Sequence, residues 1–209
     1  MHLHLPTRAC TTMIDLLQIG GFLDPATLRE VTEELRLAGG APATVLSEKP
    51  EGAVQARVRK TTRVAVPPRT RERVSERLME RRAQIEAHFG VELGGCEEPQ
   101  FLRYEEGDFF VPHQDGNTPL IHDQSRFRRI SVVVFLSTPS DAPAPGTYGG
   151  GALVFHGSRA EPDLRVPVAP APGTLVAFRA ETTHEVTPVT HGERYTVVSW
   201  FREPGAPPA

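Results

Sequence analysis

Two side chains that bind divalent metals well lie two residues apart in the segment YEEGDFFVPHQDG, residues 104–116. Alternate residues of a β-strand point to the same face, so a strand here would place the imidazole of His113 beside the carboxylate of Asp115. An isolated His-x-Asp pair is weak evidence, because short patterns of common residues arise by chance. The pair therefore predicts half of a metal site and requires a third ligand from elsewhere in the chain.

His184 is the strongest candidate for that third ligand. It opens a strand-like segment, HEVTPV, directly after the turn RAETT. Two histidines and one carboxylate form the facial triad of non-haem Fe(II) oxygenases, which leaves metal positions open for O₂ and a co-substrate. His122 is the rival candidate, because it lies close to the His-x-Asp pair in sequence.

A candidate anion-binding group follows His184 by ten residues. Arg194 starts the next strand-like segment, RYTVVSWF, and a hairpin around THGE would bring it into the same barrel as the metal site. A guanidinium group can hold the distal carboxylate of a ligand through two parallel hydrogen bonds. Thr196 on the same strand face, and Tyr104 ahead of the His-x-Asp pair, could add hydroxyl hydrogen bonds to that carboxylate.

The second half of the chain must supply the strands that position these residues. From residue 100 the hydrophobic period changes to two, in short runs separated by Gly, Pro and Asp. The runs are FLRY, FFVPHQD, ISVVVFLS, GALVFHG, LRVPVA, GTLVAF, HEVTPV and RYTVVSWF. Eight strands are the number that a double-sheet jelly roll requires. Segment 137–151 is predicted to be a long lid or binding loop.

The first half of the chain predicts two helices joined by a strand-like segment, VQARVRKTTRVAVP. Asp24 and Pro25 match an N-cap followed by proline at the first helical position, and Gly39-Gly40 supplies a stop. The second helix has one apolar stripe, Val74, Leu78, Ile85 and Phe89, which ends at Gly90. Glutamates are interleaved with its many arginines, which favours a solvated face over a partner-binding patch.

Length and composition restrict the class of protein. The chain has 209 residues, of which 39% are hydrophobic and 23% charged, and its net charge is −3. We expect a single domain with a helical support region at 1–99, a β core at 100–202 and a tail at 203–209. We expect neither a membrane nor a nucleic-acid partner. The absence of a secretory-signal pattern and the two distant cysteines predict a cytoplasmic protein.

The ordered set of motifs resembles the Fe(II)/2-oxoglutarate-dependent dioxygenases, most closely their prolyl-hydroxylase-like branch. The resemblance covers about residues 100–202 and, more loosely, the helical region before them. Its motifs are Tyr104, Gly107, Phe110, His113-x-Asp115, RRISVVVFLS, GGGALVF, PAPGTLVAF and HEVTPVTHGERYTVVSWF. It implies a mainly β fold, a double-stranded β-helix of the cupin-like jelly-roll type with flanking N-terminal helices.

The resemblance also implies roles for the candidate residues. Fe(II) would be held by His113, Asp115 and His184. The C5 carboxylate of 2-oxoglutarate would be bound by Arg194, with Tyr104 and Thr196 as helpers. The co-substrates would be 2-oxoglutarate and O₂, and ascorbate is a further candidate cofactor.

The activity implied by the resemblance is hydroxylation of an unactivated C–H bond, coupled to decarboxylation of 2-oxoglutarate. The candidate substrates are a prolyl residue in a peptide or protein, a free amino acid and a related small metabolite, with a slight preference for the first two. Substrate choice is expected to depend on segments 44–63, 117–128 and 137–151. Arg126, Arg128 and Arg129 are candidates for binding an anionic substrate group.

Other functions are disfavoured by individual residues. Asp115 argues against the halogenase variant of the family, in which a small residue replaces the carboxylate. Nucleic-acid dealkylating members have a further arginine six residues beyond the 2-oxoglutarate arginine, where this chain has Trp200. A cupin-like metal-binding protein without 2-oxoglutarate turnover would leave Arg194 and Tyr104 without a role. A binding module that merely keeps the fold is a further alternative, and the oligomeric state is left open.

Overall fold

A computed structural model of the chain describes residues 14–43, 55, 57–117 and 123–207. Within these residues the fold is mainly β, with two α-helices, α1 (Pro25–Leu37) and α2 (Pro68–Phe89), and a short 3-10 helix (Gln124–Phe127). The first eight strands are β1 (Leu16–Ile19), β2 (Gly40–Pro42), β3 (Arg59–Lys60), β4 (Thr62–Val64), β5 (Gln100–Tyr104), β6 (Phe109–His113), β7 (Arg128–Phe135) and β8 (Thr138–Pro139). The others are β9 (Thr147–Gly150), β10 (Leu153–His156), β11 (Arg165–Val168), β12 (Leu175–Arg179), β13 (His184–Val186), β14 (Val189–Gly192) and β15 (Arg194–Arg202).

Two large sheets form the jelly roll that the sequence predicted. The main sheet has seven strands in the order β1-β12-β7-β15-β5-β4-β2, and the minor sheet has five in the order β11-β10-β13-β6-β3. All eight strands predicted after residue 100 are present. Apolar side chains of β7 and β12 pack against those of β10 in one buried cluster, so the two sheets face each other.

Strand alternation gives the main sheet two different faces. On β7, Ile130, Val132 and Val134 pack with the helices, whereas Val133 and Phe135 pack against the minor sheet. The main sheet therefore has an outer face under the helices and an inner face that lines the space between the sheets.

The two helices cover the outer face because each has one apolar stripe. Val74, Leu78 and Ile85 of α2 are fully buried in the cluster that includes β7 and β15. The Asp24 side chain accepts hydrogen bonds from the backbone of Ala26 and Thr27, which confirms the predicted N-cap. Gly90 adopts the left-handed conformation that ends α2, with φ at 63°.

Two details of the helical half differ from the prediction. Helix α1 ends at Leu37 with Ala38 as an extended C-cap, and the following glycine pair leads into β2. The arginines of α2 are not simply a solvated face, because three of them make ion pairs with acidic side chains on α1 or at its N-cap. These pairs are Arg69–Glu34, Arg73–Glu30 and Arg77–Asp24.

Two other segments are more ordered than the sequence suggested. The run VQARVRKTTRVAVP contains two short strands in different sheets, since β3 pairs with β6 and β4 with β5. Segment 137–151, expected to be a loop, contributes β8 and β9 to a third sheet of order β14-β9-β8. Neither described helix is both long and apolar enough to span a membrane. The division of the chain into domains stays a prediction.

Burial of the α2 stripe makes a direct test of the helix–sheet packing possible. We expect Leu78→Ala to lower the free energy of unfolding by about 2–5 kcal/mol, because it leaves a cavity under the main sheet. The adjacent Met79 is exposed, and Met79→Ala should change that free energy by less than about 0.5 kcal/mol. Chemical denaturation of both variants measures the difference; equal values would contradict the packing described.

Candidate active site

The three predicted metal ligands lie together at one place between the sheets. Antiparallel pairing of β13 with β6 puts His184 directly opposite His113. The Nε2 atoms of His113 and His184 lie 3.5 Å from Oδ1 and Oδ2 of Asp115, respectively. One ligand atom from each residue can be chosen so that all three lie within 4.8 Å of one another, a spacing suited to one ion. The rival His122 lies outside the described residues.

Asp115 is positioned by hydrogen bonds and not, as predicted, by the alternation of a strand. Strand β6 ends at His113, so strand alternation does not orient Asp115. Instead, the backbone N–H of Asp115 donates to Ala180 O at 2.9 Å, just beyond the end of β12. The Oγ of Ser131 on β7 donates to Asp115 Oδ2 at 2.7 Å. The carboxylate therefore links the end of the minor-sheet strand to the main sheet.

Hydrogen bonds fix both histidines in the tautomer that a metal requires. His113 Nδ1 lies 2.8 Å from Val111 O, and His184 Nδ1 lies 2.9 Å from Thr182 O. A carbonyl oxygen only accepts, so each Nδ1 carries a hydrogen, and in a neutral ring the lone pair is then on Nε2. Such bonds to the second ring nitrogen are the usual way in which proteins orient histidine ligands.

The electrostatics also suit a cation. Burial lowers the pKa of His184 to about 4 against the opposing attraction of Asp115, so its ring is neutral at neutral pH. Burial alone would raise the pKa of Asp115, but His184, His113 and Arg128 outweigh it and hold that pKa well below its ordinary value. Neutral imidazoles and an ionised carboxylate are the protonation states that metal binding needs. The residues present therefore fit Fe(II).

Arg128 supports the Asp115 segment from behind. Its guanidinium makes two hydrogen bonds to the Glu97 carboxylate, at 2.8 and 2.7 Å, and a third to Asp115 O at 3.2 Å. The same group lies 3.7 Å from the centre of the Trp200 ring. Trp200 occupies the position of the further arginine expected in nucleic-acid dealkylating members. Its ring packs against Arg128, which in turn bonds to the backbone of the candidate ligand Asp115.

These contacts change the expectation for the three arginines proposed to bind an anionic substrate. Arg128 is used inside the protein, and Arg129 bonds to Glu203 and Asn117. Arg126 is exposed and lies over the Phe127 ring, so it alone of the three keeps its charge free for an external group.

Arg194 lies on the inner face of the main sheet and is only 1% exposed. Its guanidinium carbon is 5.1 Å from the Tyr104 ring centre and 5.2 Å from that of Phe135. Its hydrogen-bond contact to Thr196 is long, at 3.5 Å, and its Nε has no partner. Within the described chain no carboxylate lies within ion-pair distance of it.

The predicted hairpin between His184 and Arg194 is wrong. His184 is in the minor sheet and Arg194 in the main sheet, with β14 of the third sheet between them along the chain. The two residues still border the same interior, because Phe135, beside Arg194, shares a cluster with Phe178, whose ring centre is 4.7 Å from that of His184. His184 and Arg194 therefore border one interior from two different sheets, and not as neighbouring strands of a hairpin.

The inner face of β7 spans the distance between the two groups. Ser131 bonds to Asp115 and Phe135 contacts Arg194, and four residues of strand separate them by about 13 Å. The candidate ligand His184 and Arg194 contact aromatic rings of one buried cluster, Phe178 and Phe135 respectively.

Two supporting residues were missed by the sequence analysis. Ser131 could have been found, because it is the one polar residue within the run ISVVVF that becomes β7. The role of Glu97 gives no local signal, since it depends on contact with Arg128, 31 positions along the chain.

Comparison with known proteins gives matches over the same region. The model of the 2OG-Fe(II) oxygenase superfamily matches residues 99–202. A PKHD-type hydroxylase from Paracoccus denitrificans is 35% identical over 104 residues, 49% of this chain and 41% of the relative. Another from Synechococcus sp. is 37% identical over 99 residues, 47% and 40% of the two chains. The match spans about two fifths of the length of these curated relatives.

Solved structures share the fold over most of the chain. A Pseudomonas putida prolyl-4-hydroxylase is similar with a TM-score of 0.68 and 23% identity, covering 92% of this chain and 94% of the other. A Trichoplax adhaerens prolyl hydroxylase, in complex with a peptide fragment of the hypoxia inducible factor oxygen degradation domain, has a TM-score of 0.63 and 16% identity, covering 90% of this chain and 84% of the other. At these identities the likeness establishes the jelly-roll fold.

The Ser131–Asp115 hydrogen bond provides a test of how the site is held. We expect Ser131→Ala to weaken Fe(II) binding about 10-fold or more, because Asp115 loses the donor that orients Oδ2. Ser140 lies in the third-sheet region and bonds only locally, so Ser140→Ala is the matched control and should bind normally. Anaerobic titration with Fe(II) measures both affinities. Unchanged affinity in Ser131→Ala would show that the bond does not orient the ligand.

Proposed function

The chain belongs to the 2OG-Fe(II) oxygenase superfamily, and on that premise we propose that it is an Fe(II)- and 2-oxoglutarate-dependent hydroxylase. The observation that carries the proposal is that two candidate binding sites border the same space between the two large sheets. A His113–Asp115–His184 cluster with both Nε2 atoms directed at the Asp115 carboxylate lies at one end, and a buried Arg194 without a carboxylate partner in the described chain lies at the other.

Each residue has a distinct task in this proposal. His113 and His184 offer nitrogen ligands, and Asp115 offers the negative charge that favours a divalent cation. Arg194 binds the distal carboxylate of 2-oxoglutarate, which orients the 2-oxo acid group toward the metal. Apolar side chains between the sites keep water away from the reaction. With O₂, bound Fe(II) and 2-oxoglutarate supply the oxidising chemistry that hydroxylates an unactivated C–H bond.

The buried charge of Arg194 argues against a cupin-like protein that binds only a metal. Burying a guanidinium without a charge partner destabilises the folded protein. A buried, unpaired arginine is therefore expected where a bound anionic ligand supplies that partner. Nucleic-acid dealkylation is disfavoured because position 200, where that reaction would need a second arginine, is a tryptophan whose ring packs on Arg128.

The substrate we propose is a prolyl residue in a peptide, with a free amino acid or related small metabolite as the alternative. Support comes from the names of similar proteins, since both solved structures described above are prolyl hydroxylases and one holds a peptide. Of the segments expected to govern substrate choice, residues 44–54, 56 and 118–122 lie outside the described residues. Segment 137–151 borders the Arg194 end of the interior through Gly151.

Separate variants test the two halves of the cofactor site. We expect His113→Ala or His184→Ala to abolish Fe(II) binding, because too few ligands remain. Arg194→Ala should retain Fe(II) binding but weaken 2-oxoglutarate binding by about 100-fold or more, since a buried carboxylate loses its charge partner. Arg165→Ala, an exposed arginine on the edge strand β11, is the control.

The measurement is the anaerobic absorption spectrum with Fe(II), before and after 2-oxoglutarate. A weak visible charge-transfer band should appear only with both in the wild type and control. A wild type that binds Fe(II) tightly without this band would contradict the proposal and favour the cupin-like alternative. Normal 2-oxoglutarate binding by Arg194→Ala would show that another residue holds the carboxylate.

Succinate release tests the substrate class. We expect proline-containing peptides to stimulate succinate release above the uncoupled rate and to gain 16 mass units, whereas free L-proline should do neither. The same peptides with alanine in place of proline are the control. Stimulation by the free amino acid alone would contradict the peptidyl assignment while leaving the oxygenase proposal intact.

A further inference from the structure

A second donor without an acceptor lies beside Arg194. Tyr148 on β9 is completely buried, yet its hydroxyl has no hydrogen-bond partner within the described residues. Buried tyrosine hydroxyls usually find a partner, so an unsatisfied one requires an explanation. Tyr195 shows the usual situation, because its hydroxyl donates to Glu193 at 2.8 Å.

Gly151 shows that Tyr148 and Arg194 share one small space. A methyl group placed on Gly151 would lie 2.9 Å from Arg194 Cδ and 3.3 Å from Tyr148 Cε2. The Cε2 atom is bonded to the carbon that carries the hydroxyl, so the hydroxyl edge of the Tyr148 ring lies toward Gly151 and Arg194. Gly151 also has a φ of +57°, which other residues rarely adopt. The glycine therefore allows the third sheet to approach the guanidinium closely.

The other neighbours of the guanidinium give it little hydrogen bonding. The Phe135 ring on one side has no polar atom, and the contact to the Thr196 hydroxyl is long, at 3.5 Å. Arg194 Nε and the Tyr148 hydroxyl are thus two buried donors in one place, and the described chain provides no acceptor for either. A carboxylate offers about four lone-pair positions, enough to accept from both.

We propose that the Tyr148 hydroxyl donates a hydrogen bond to the same distal carboxylate that Arg194 binds. This inference rests on the proposed function, since that function supplies the dicarboxylate. Tyr148 is then a specificity-determining residue, because its hydroxyl is satisfied only by a 2-oxo acid with a second carboxylate. Monocarboxylic 2-oxo acids would leave both donors buried and unsatisfied, which is an effective way to reject them.

The test compares Tyr148→Phe with Tyr195→Phe. Both tyrosines are buried and both variants lose only a hydroxyl, but Tyr195 packs with the helices on the outer face of the main sheet. Isothermal titration of the Mn(II)-loaded protein measures the affinity for 2-oxoglutarate, and displacement measures that for 2-oxopentanoate, which has the same carbon chain without the distal carboxylate. We expect Tyr148→Phe to weaken 2-oxoglutarate binding about 10-fold. Its affinity for 2-oxopentanoate should not change, and Tyr195→Phe should match the wild type for both ligands.

The melting temperature of the ligand-free protein is a second readout. Tyr148→Phe should melt no lower than the wild type, because its hydroxyl has no partner to lose, whereas Tyr195→Phe should melt lower. A lower melting temperature for Tyr148→Phe would show that the hydroxyl is satisfied within the protein and would overturn the inference. Equal weakening of both ligands, or of neither, would also overturn it. A wild type that binds Mn(II) but not 2-oxoglutarate would instead refute the proposed function.

Discussion

The antiparallel pairing of β6 with β13 is the contact on which the rest of the site depends. It sets His113 opposite His184, and the backbone carbonyls of Val111 and Thr182 then fix both rings with Nε2 directed at Asp115. A slip of β6 by one residue against β13 would turn the His113 imidazole to the opposite face of the minor sheet, away from His184. The proposed metal site is thus primarily a consequence of strand register.

The site also needs the two sheets to meet. Asp115 lies beyond the end of β6, and its position comes from the main sheet through Ser131 and Ala180. Arg128 adds a bond to the Asp115 carbonyl and is itself held by Glu97 and Trp200. Such a network is strong only when all its members are satisfied, so each support residue affects the geometry of the ligands. Packing of the helices on the outer face keeps the main sheet in place behind it.

The opposite end of the interior holds the buried charge of Arg194, the proposed anion-binding group. The inner face between the sites is apolar, and the third sheet covers the Arg194 end through Tyr148 and Gly151. Both residues lie in segment 137–151, which its Pro, Gly and Ala content predicted to be a flexible lid or binding loop. In the fold, β8 and β9 hold it against β14, so it forms part of the wall. A fixed wall suits a site that must orient a small co-substrate.

The sequence by itself determined the strands, the helices and the identity of the residues that meet. Period-two hydrophobicity located eight of the eleven described strands after residue 100, and Asp24 and Gly90 marked helix ends, because these signals are local. The ordered motifs also pointed to the family, and with it to His113, Asp115, His184 and Arg194 as the site. Only the tertiary structure decided how these groups come together. Sheet assignment, the crossing from β13 to β15 and the contacts of Arg128 and Tyr148 all depend on residues distant in sequence, and no local pattern specifies such pairings.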